Sequence, residues 1–431
     1  MPIGAFKLTT ISAAASVAAD SYFILTSTGS EWDDRACIEV DSNKSIYIQS
    51  EFGLAKINET GTYAWVKTWD TVPEYYQNIF IGADGNPVLA SSISTDQFLF
   101  RFNSTTGAQV SCTKTTVSGA DFNAGNARFK LVHQDSSGNY ILAIGRNPQP
   151  TIWKTSVTKW TSAGAFVSNR EFYETVNEAA RGHQIHMQVL DSSGNLYLFN
   201  QAYNPFTARN EFLLHKFNTG AMTHTYVKNI NSASYAFPAP AGAVVDSSGN
   251  LYFRTGRNIF KLDSSGTQVW QKQISLSFVQ DDTNNGNVMA IDSNNNIYVG
   301  FIVSANNKNY ILKIDTSGNV IYSRSFRMNN TAGNNLSVLV RNGSLYLNNR
   351  AAQVQGSTTG VFIAKLPLDG TLTGTYASTL IYATESVSLA DSSVFSITSA
   401  SAVIATVNPS SASITPALSN NTLPSLTKTT L

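Results

Sequence analysis

Charged side chains are scarce in this chain of 431 residues: Asp, Glu, Lys and Arg together make up 13%, against about 25% in ordinary globular proteins. The formal net charge is +1, and Ser, Thr, Asn and Gly fill the polar positions instead. Nucleic-acid binding needs clustered Lys and Arg, and a membrane-surface helix needs a basic face. This composition supplies neither, so nucleic acid and membrane insertion are excluded as expected partners. Cysteine is nearly lacking too. Cys37 and Cys112 are too few for a disulfide framework or a zinc site, and they read as unpaired strand residues. No apolar run approaches the roughly 20 residues of a spanning helix. No segment sustains a period near 3.6 residues, so helix should be scarce. The opening MPIGAFKLTTISAAASVAAD has a lysine and an Ala-rich stretch, but Thr9, Thr10 and Ser12 interrupt the apolar region that a secretory signal requires.

What the chain has in quantity is a paired repeat. Its first half is a polar turn followed by an apolar strand: DSNKSIYI from Asp41, GADGNPVL from Gly82, DSSGNYIL from Asp135, DSSGNLYL from Asp191, DSSGNLYF from Asp246, DSNNNIYV from Asp292 and RNGSLYL from Arg341. A fainter copy, DSSVFSI, starts at Asp391. The second half is a basic-apolar-polar element at Lys56, Arg101, Lys159, Lys216, Lys261, Lys313 and Lys365. Repetition at this interval marks a quasi-symmetric array.

Each copy reads as four short strands. The first precedes the polar turn (ACIEV from Ala36, GAVV from Gly242) and the second follows it (NLYLF from Asn195). The third ends at the Lys-type element, and the fourth follows a Gly-rich turn (TYAWVKTW from Thr62, TQVWQKQI from Thr267, NVIYSRSF from Asn319). Runs of β-branched and aromatic residues separated by Gly, Asn, Asp and Ser are the strand pattern. In DSSGN the acidic side chain can bond the backbone ahead of it, and Gly supplies a positive φ. Read as a calcium loop, DSNNN lacks the further carboxylates at set distances, so the plain turn is preferred. Four-stranded antiparallel units at this interval make an all-β fold, a β-propeller. Residues at the turn tip (Lys44, Gly85, Gly138, Gly194, Gly249, Asn295, Gly343 and Ser392) are spaced 41 to 56 residues apart. Seven copies are clear and the eighth keeps the spacing while losing its lysine and glycines, so eight blades are favoured over seven. In the seven-blade alternative, residues from about Thr379 onward form a C-terminal extension. The expected division is an N-terminal arm over 1–30, a propeller over 31–417 and a C-terminal tail over 418–431.

The strings NETGTYAW from Asn58, LDSSGTQVW from Leu262 and IDTSGNVIY from Ile314 resemble the Asp-x-x-Gly-x-x-x-Trp element of quinoprotein-like and related bacterial β-propeller repeats. The resemblance spans roughly Asp33 to Ala417 and implies a fold rather than a function. It implies that Trp65 and Trp270, with Tyr322 in the third copy, pack between blades. The low-charge, Ser/Thr/Asn-rich style and the Ala/Ser-rich leader resemble bacteriophage tail structural proteins, a likeness of style without a defining motif.

Long divergent loops on a rigid scaffold are where binding is usually placed. The second-to-third and fourth-to-first connections vary widely here, and they carry Tyr75, Tyr76, Trp153, Tyr203, Phe206 and Arg209. Exposed Tyr, Trp and Arg suit an interface centre, and aromatic platforms beside amides also suit sugar rings; the alternative for each is space-filling between blades. An enzyme is not expected. His183 and His186, three apart on a strand, face opposite sides. There is no vicinal cysteine pair of the quinoprotein kind, no GxSxG, HExxH or phosphate loop, and nothing singles out Asp33, Asp34, Glu171, Glu174 or Glu178 as a glycosidase pair. No metal or cofactor is expected. The reading is a non-enzymatic structural and binding component of a phage virion, in its tail, fibre or tail tip. Its expected partners are other virion proteins, with the arm and tail as contacts, and a host-surface glycan. The alternatives are a secreted or surface bacterial adhesin or scaffold, located extracellularly, and a polysaccharide-active enzyme.

Overall fold

Each clear copy of the polar repeat closes a hairpin, and the backbone shows what its tip requires. Lys44, Gly85, Gly138, Gly194, Gly249, Asn295 and Gly343 all adopt positive φ, between 61° and 80°. That conformation costs an ordinary L-residue about 1 kcal/mol, which glycine avoids. Behind the tip, one carboxylate oxygen of Asp41, Asp135, Asp191, Asp246 and Asp292 accepts the backbone N–H groups two and four residues ahead, at 2.8–3.0 Å. Each of these turns thus satisfies its own leading backbone donors.

The computed structural model describes residues 5–7, 23–28, 37–50, 53–59, 61–69, 79–93, 96–116, 132–149, 152–173, 184–204, 209–232, 240–277, 279–280, 288–328, 334–351, 360–376, 380–400, 403–406, 410–413, 418–419 and 427–430. The hairpins build seven antiparallel blades. From the centre outward, blade 1 is Cys37–Val40, Ile46–Ser50, Gly53–Ile57 and Tyr63–Trp69. Blade 2 is Ile79–Ile81, Pro87–Ile93, Asp96–Phe102 and Gln109–Thr116; blade 3 is Val132–Gln134, Tyr140–Gln149, Ile152–Trp160 and Phe166–Tyr173. Blade 4 is Gln184–Leu190, Asn195–Asn204, Arg209–Asn218 and Thr223–Ser232; blade 5 is Pro240–Val245, Leu251–Thr255, Asn258–Leu262 and Gln268–Ile274. Blade 6 is Met289–Ile291, Ile297–Val303, Lys308–Ile314 and Val320–Met328. Blade 7 takes Asn334–Arg341, Ser344–Ala351 and Gly360–Pro367 from its own repeat, and Phe23–Thr28 runs beside its third strand. Among the described residues the helical content is one short turn, Ser304–Asn306.

Neighbouring blades meet through apolar clusters. Phe199 of blade 4 packs on Phe253 of blade 5 with ring centroids 4.9 Å apart. Tyr346 and Ile363 of blade 7 pack with Ile46 and Ile48 of blade 1, which closes the ring.

The count is seven, the smaller of the two numbers allowed by the repeat, not the favoured eight. The Asp391 copy closes no hairpin. Ser392 is not among the residues with positive φ, and the strands on either side of it pair with different blades. Leu389–Asp391 adds to the fourth strand of blade 5, while Phe395–Ala400 adds to that of blade 4. Without the tip glycine and the lysine, the sequence DSSVFSI steps between blades rather than building one.

It belongs to a strap that runs backwards around the ring. Leu380–Thr384 pairs with blade 6, Val403–Thr406 with blade 3, Ser410–Ser413 with blade 2 and Leu418–Ser419 with blade 1. Thr427–Thr430 then pairs with Phe23–Thr28 at blade 7. Every blade therefore carries a further strand on its outer edge. An uncovered edge would present unpaired N–H and C=O groups to other chains.

Candidate functional site

The repeated lysine is the residue most suggestive of chemistry, and its surroundings give it a mechanical role. Lys56, Lys159, Lys216, Lys261 and Lys313 each donate from the third strand to a backbone carbonyl in the outer turn of the next blade. The acceptors are Ser104, Thr219, Ser264, Thr316 and Leu368, at 2.8–3.2 Å. The turn carboxylates of Asp41, Asp135 and Asp292 lie 3.4, 2.8 and 3.4 Å from the ammonium of their own blade. The strand tyrosines Tyr47, Tyr197, Tyr252 and Tyr298 place their rings 4.9–5.3 Å from it, within cation–π reach. At ring closure, Lys365 of blade 7 sits 3.8 Å from Glu59 in the outer turn of blade 1. The two halves of the repeat are therefore the two halves of an interblade clasp.

The predicted packing aromatics lie on the same seam. The indole N–H of Trp65 donates to Ser104 O at 3.1 Å and that of Trp270 to Thr316 O at 3.2 Å, carbonyls that also take a lysine. A Cβ on Gly107 would fall 2.7 Å from the Trp65 ring, and one on Gly370 would fall 3.0 Å from the Tyr322 ring. Gly107→Ala is therefore expected to cost about 2–4 kcal/mol, from left-handed strain plus overpacking against a buried indole. Gly85→Ala shares the positive φ (75°) but meets nothing within 4 Å, and should cost about 1 kcal/mol. Urea midpoints of the two variants check this; equal losses would remove the packing argument.

Of the binding-face candidates, Tyr75, Tyr76 and Phe206 lie outside the described residues. Tyr203 and Arg209 stand at the tip of the second-to-third hairpin of blade 4, where Tyr203 pairs with Asn210 and Asn204 with Arg209. Trp153 stands at the tip of the same hairpin in blade 3, next to the Gln149↔Ile152 pair. The topology thus places these three backbone positions on one face, in adjacent blades. Of the carboxylates considered for glycosidase chemistry, Glu171 is buried on the fourth strand of blade 3, and Asp33, Asp34, Glu174 and Glu178 lie outside the described residues.

The sequence reading did not single out the central channel. It is a cavity of about 440 Å³ lined by the inner strands of all seven blades. Its wall mixes apolar side chains such as Phe80, Val245 and Ile291 with polar ones, among them Glu39, His133, Gln134, Gln188, Asp191 and Arg341. Arg341 of blade 7 forks onto Glu39 of blade 1 at 2.9 and 3.1 Å. Gln134 ties blade 3 to blade 2 by accepting from Ala83 N at 2.7 Å. His133 has Nε2 without a hydrogen-bond partner among the described residues. Among those residues, no three His, Cys, Asp or Glu side chains cluster as a metal site would require. One tip-to-channel signal was available: the residues just before each polar turn, Glu39, Phe80, His133 and Val189, sit at the same position in the first four copies.

Burial pushes His133 down to about 4, outweighing a hydrogen bond to the Gln188 backbone that favours its charged form. Burial likewise pushes His224 down to about 4, where its Nε2 lies 3.2 Å from Nδ1 of His215. Both are neutral in the folded protein at pH 7, and the unfolded chain takes up their protons first as pH falls. This contribution to stability is complete above about pH 6.5 and is lost between there and about pH 4. A decrease in Tm on the order of 5 °C is expected across that window, and it should be much reduced in H133Q/H224Q. A flat profile in the parent would contradict it.

No protein-family model matches this chain, and no curated protein matches it. Solved structures that it resembles are β-propellers. The Dos1 propeller aligns with a TM-score of 0.50 at 11% identity, over 77% of this chain and 78% of that one. A quinoprotein alcohol dehydrogenase-like protein of Bacteroides thetaiotaomicron aligns with a TM-score of 0.40 at 11% identity, covering 70% and 74%. A gluconolactonase of Xanthomonas campestris aligns with a TM-score of 0.36 at 13% identity, covering 69% and 95%. Such likeness speaks to fold alone. None of the three bears on the compositional likeness to tail proteins.

Proposed function

We propose that this chain is a non-catalytic structural and binding propeller of a bacteriophage particle, placed in the tail, fibre or tail tip. The observation that carries this reading is the strap. A particle component is packed beside many copies of its neighbours, and a net charge of +1 gives those copies little electrostatic repulsion. Ending the blades on strap strands of only two to six residues leaves short outer edges, which limits edge-to-edge pairing without charge. The repeat residues are engaged in interblade clasps, which leaves the variable hairpin face for recognition. On that face Trp153, Tyr203 and Arg209 are the proposed contacts to a host-surface glycan.

Mass spectrometry of purified virions should find the chain, and its absence from particles would overturn the assignment in favour of a secreted or surface adhesin. For the glycan, W153A, Y203A and R209A are each expected to weaken binding on an array several-fold without changing the unfolding midpoint. Aromatic contacts of this kind are worth on the order of 1 kcal/mol. If the parent binds no glycan, the face docks protein instead.

A further inference from the structure

We infer that the seam between blades 6 and 7 is a binding site for ordered water, held by the side-chain amides of Asn309 and Asn349 beneath the hairpin face of the ring.

Placement is the first observation. Asn309 is the second residue of the third strand of blade 6, Lys308–Ile314, and Asn349 lies on the second strand of blade 7, Ser344–Ala351. Side chains two apart on a strand share a face. Asn309 therefore shares its face with Ile311, and Asn349 with Leu345 and Leu347. Those three apolar residues pack in one cluster across this seam, so the two amides face the seam from opposite sides. Each stands two residues beyond the cluster, towards the second-to-third hairpin.

The second observation is their isolation. Asn309 is 1% exposed and Asn349 0%. Among the described residues, neither Nδ2 nor Oδ1 of either amide has a hydrogen-bond partner. Turning an amide over changes nothing, since both of its ends are unpaired. The residues directly opposite offer no relief. Ile302 and Phe326 flank Asn309, and Phe362 stands across from Asn349. Buried polar groups in folded proteins almost always find a protein or water partner, and leaving one without forfeits its hydrogen bonds to solvent.

The seam between blades 3 and 4 shows the dry alternative. Asn309 stands four residues before the repeat lysine and Asn349 three after the strand tyrosine, and Thr155 and Asn200 occupy those same two positions. There Asn200 Nδ2 donates directly to Thr155 Oγ1 at 2.9 Å. With two amides in place of that pair the direct bond is lost, and two donor groups and two acceptors face one another. Water, neutral and able to donate twice and accept twice, matches that set; buried waters typically make about three such bonds. Satisfied in this way, the amides fix how far blade 7 slides along blade 6, which apolar contacts alone specify poorly.

A high-resolution crystal structure of the full chain should show density within hydrogen-bond distance of both amides. In solution, magnetic relaxation dispersion of water oxygen should count fewer long-lived internal waters in N309V/N349V than in the parent. Valine suits a strand and leaves no polar group to satisfy. N309V or N349V alone strands the remaining amide, so each should lower Tm by roughly 3 °C. The double variant should lose clearly less than the sum of the two. Amides bonded directly to each other, or density too large for one or two waters, would overturn the inference. So would additive losses, or an unchanged water count in a folded double variant. Should the double variant not fold, the density in the parent decides.

Discussion

A chain lacking residues 1–28 should lose roughly 3–5 kcal/mol of stability, a third or more of what a domain usually has, and should self-associate. The deleted segment includes Phe23–Thr28, which lies beside Gly360–Pro367 of blade 7 and pairs with Thr427–Thr430 of the strap. Its loss removes the ladder to the strap and the strand that lies beside blade 7 at once. It leaves the third strand of blade 7 as an open edge, and it leaves the end of the strap with nothing to pair to. In the other six blades the fourth strand comes from the blade's own repeat, so blade 7 is where the ring depends on sequence-distant pairing. Guanidinium unfolding followed by tryptophan fluorescence gives the midpoint, and light scattering gives the mass. A monomer with the parent's midpoint would show that Phe23–Thr28 adds nothing to closure. Removing residues 380–431 instead should open the outer edges of blades 1–6 while leaving the clasps intact, giving stronger association at a smaller loss per strand.

The blade architecture was legible in the sequence because each turn writes its constraint into particular residues. A left-handed tip at Gly138, Gly194 and Gly249 selects glycine, and the backbone N–H groups ahead of the acid select the aspartate that opens five of the seven clear copies. Those constraints are local, so one copy suffices to read them. The strap obeys no such rule. Its strands need only extended backbone and a partner already waiting, so Ser/Thr-rich segments such as Ser410–Ser413 suffice and leave little trace in composition. Its period of six to nine residues was the available signal, hidden behind the DSS of Asp391 that kept the blade spacing. The role of the lysine was half legible. Its recurrence was plain, but its acceptor is a backbone carbonyl in the next blade, and a backbone acceptor leaves no residue to find. The hairpin tips of blades 3 and 4 came out together because ring topology alone brings equivalent positions onto one face. The channel did not, since its lining is set by which inner-strand residues face the axis, and Val189 or Ile291 there looks like any core residue.

The clasp should also carry the largest effect of any single side chain, and Lys159 is the sharpest case. It is nearly buried, at 9% exposure. Its ammonium lies 2.8 Å from Asp135 Oδ2 and 3.2 Å from the carbonyl of Thr219 in blade 4. Burial alone would raise the Asp135 carboxyl. The bonds from Lys159 and Asn139 outweigh that and hold it below the usual carboxylate range. In K159M the methionine fills the same space without the charge, so Asp135 keeps its turn bonds but becomes a buried, unpaired anion. Breaking one side of a buried pair costs about 3–5 kcal/mol. D135N alone should be similarly costly, because it strands the lysine. K159M/D135N should recover part of the sum, giving a coupling of roughly 1–3 kcal/mol. The sign with pH follows. In the parent, Asp135 contributes stability above the unfolded carboxylate pKa and loses it as pH falls through the lower folded value. In K159M the folded value rises towards or above the unfolded one, so this acid-dependent loss should shrink, and the stability gap between K159M and the parent should narrow as pH falls. Chemical denaturation of the four-member cycle at pH 7 and pH 4.5 measures both effects. Additive losses with unchanged pH dependence would mean that Lys159 and Asp135 act independently, and the clasp would reduce to two unrelated contacts.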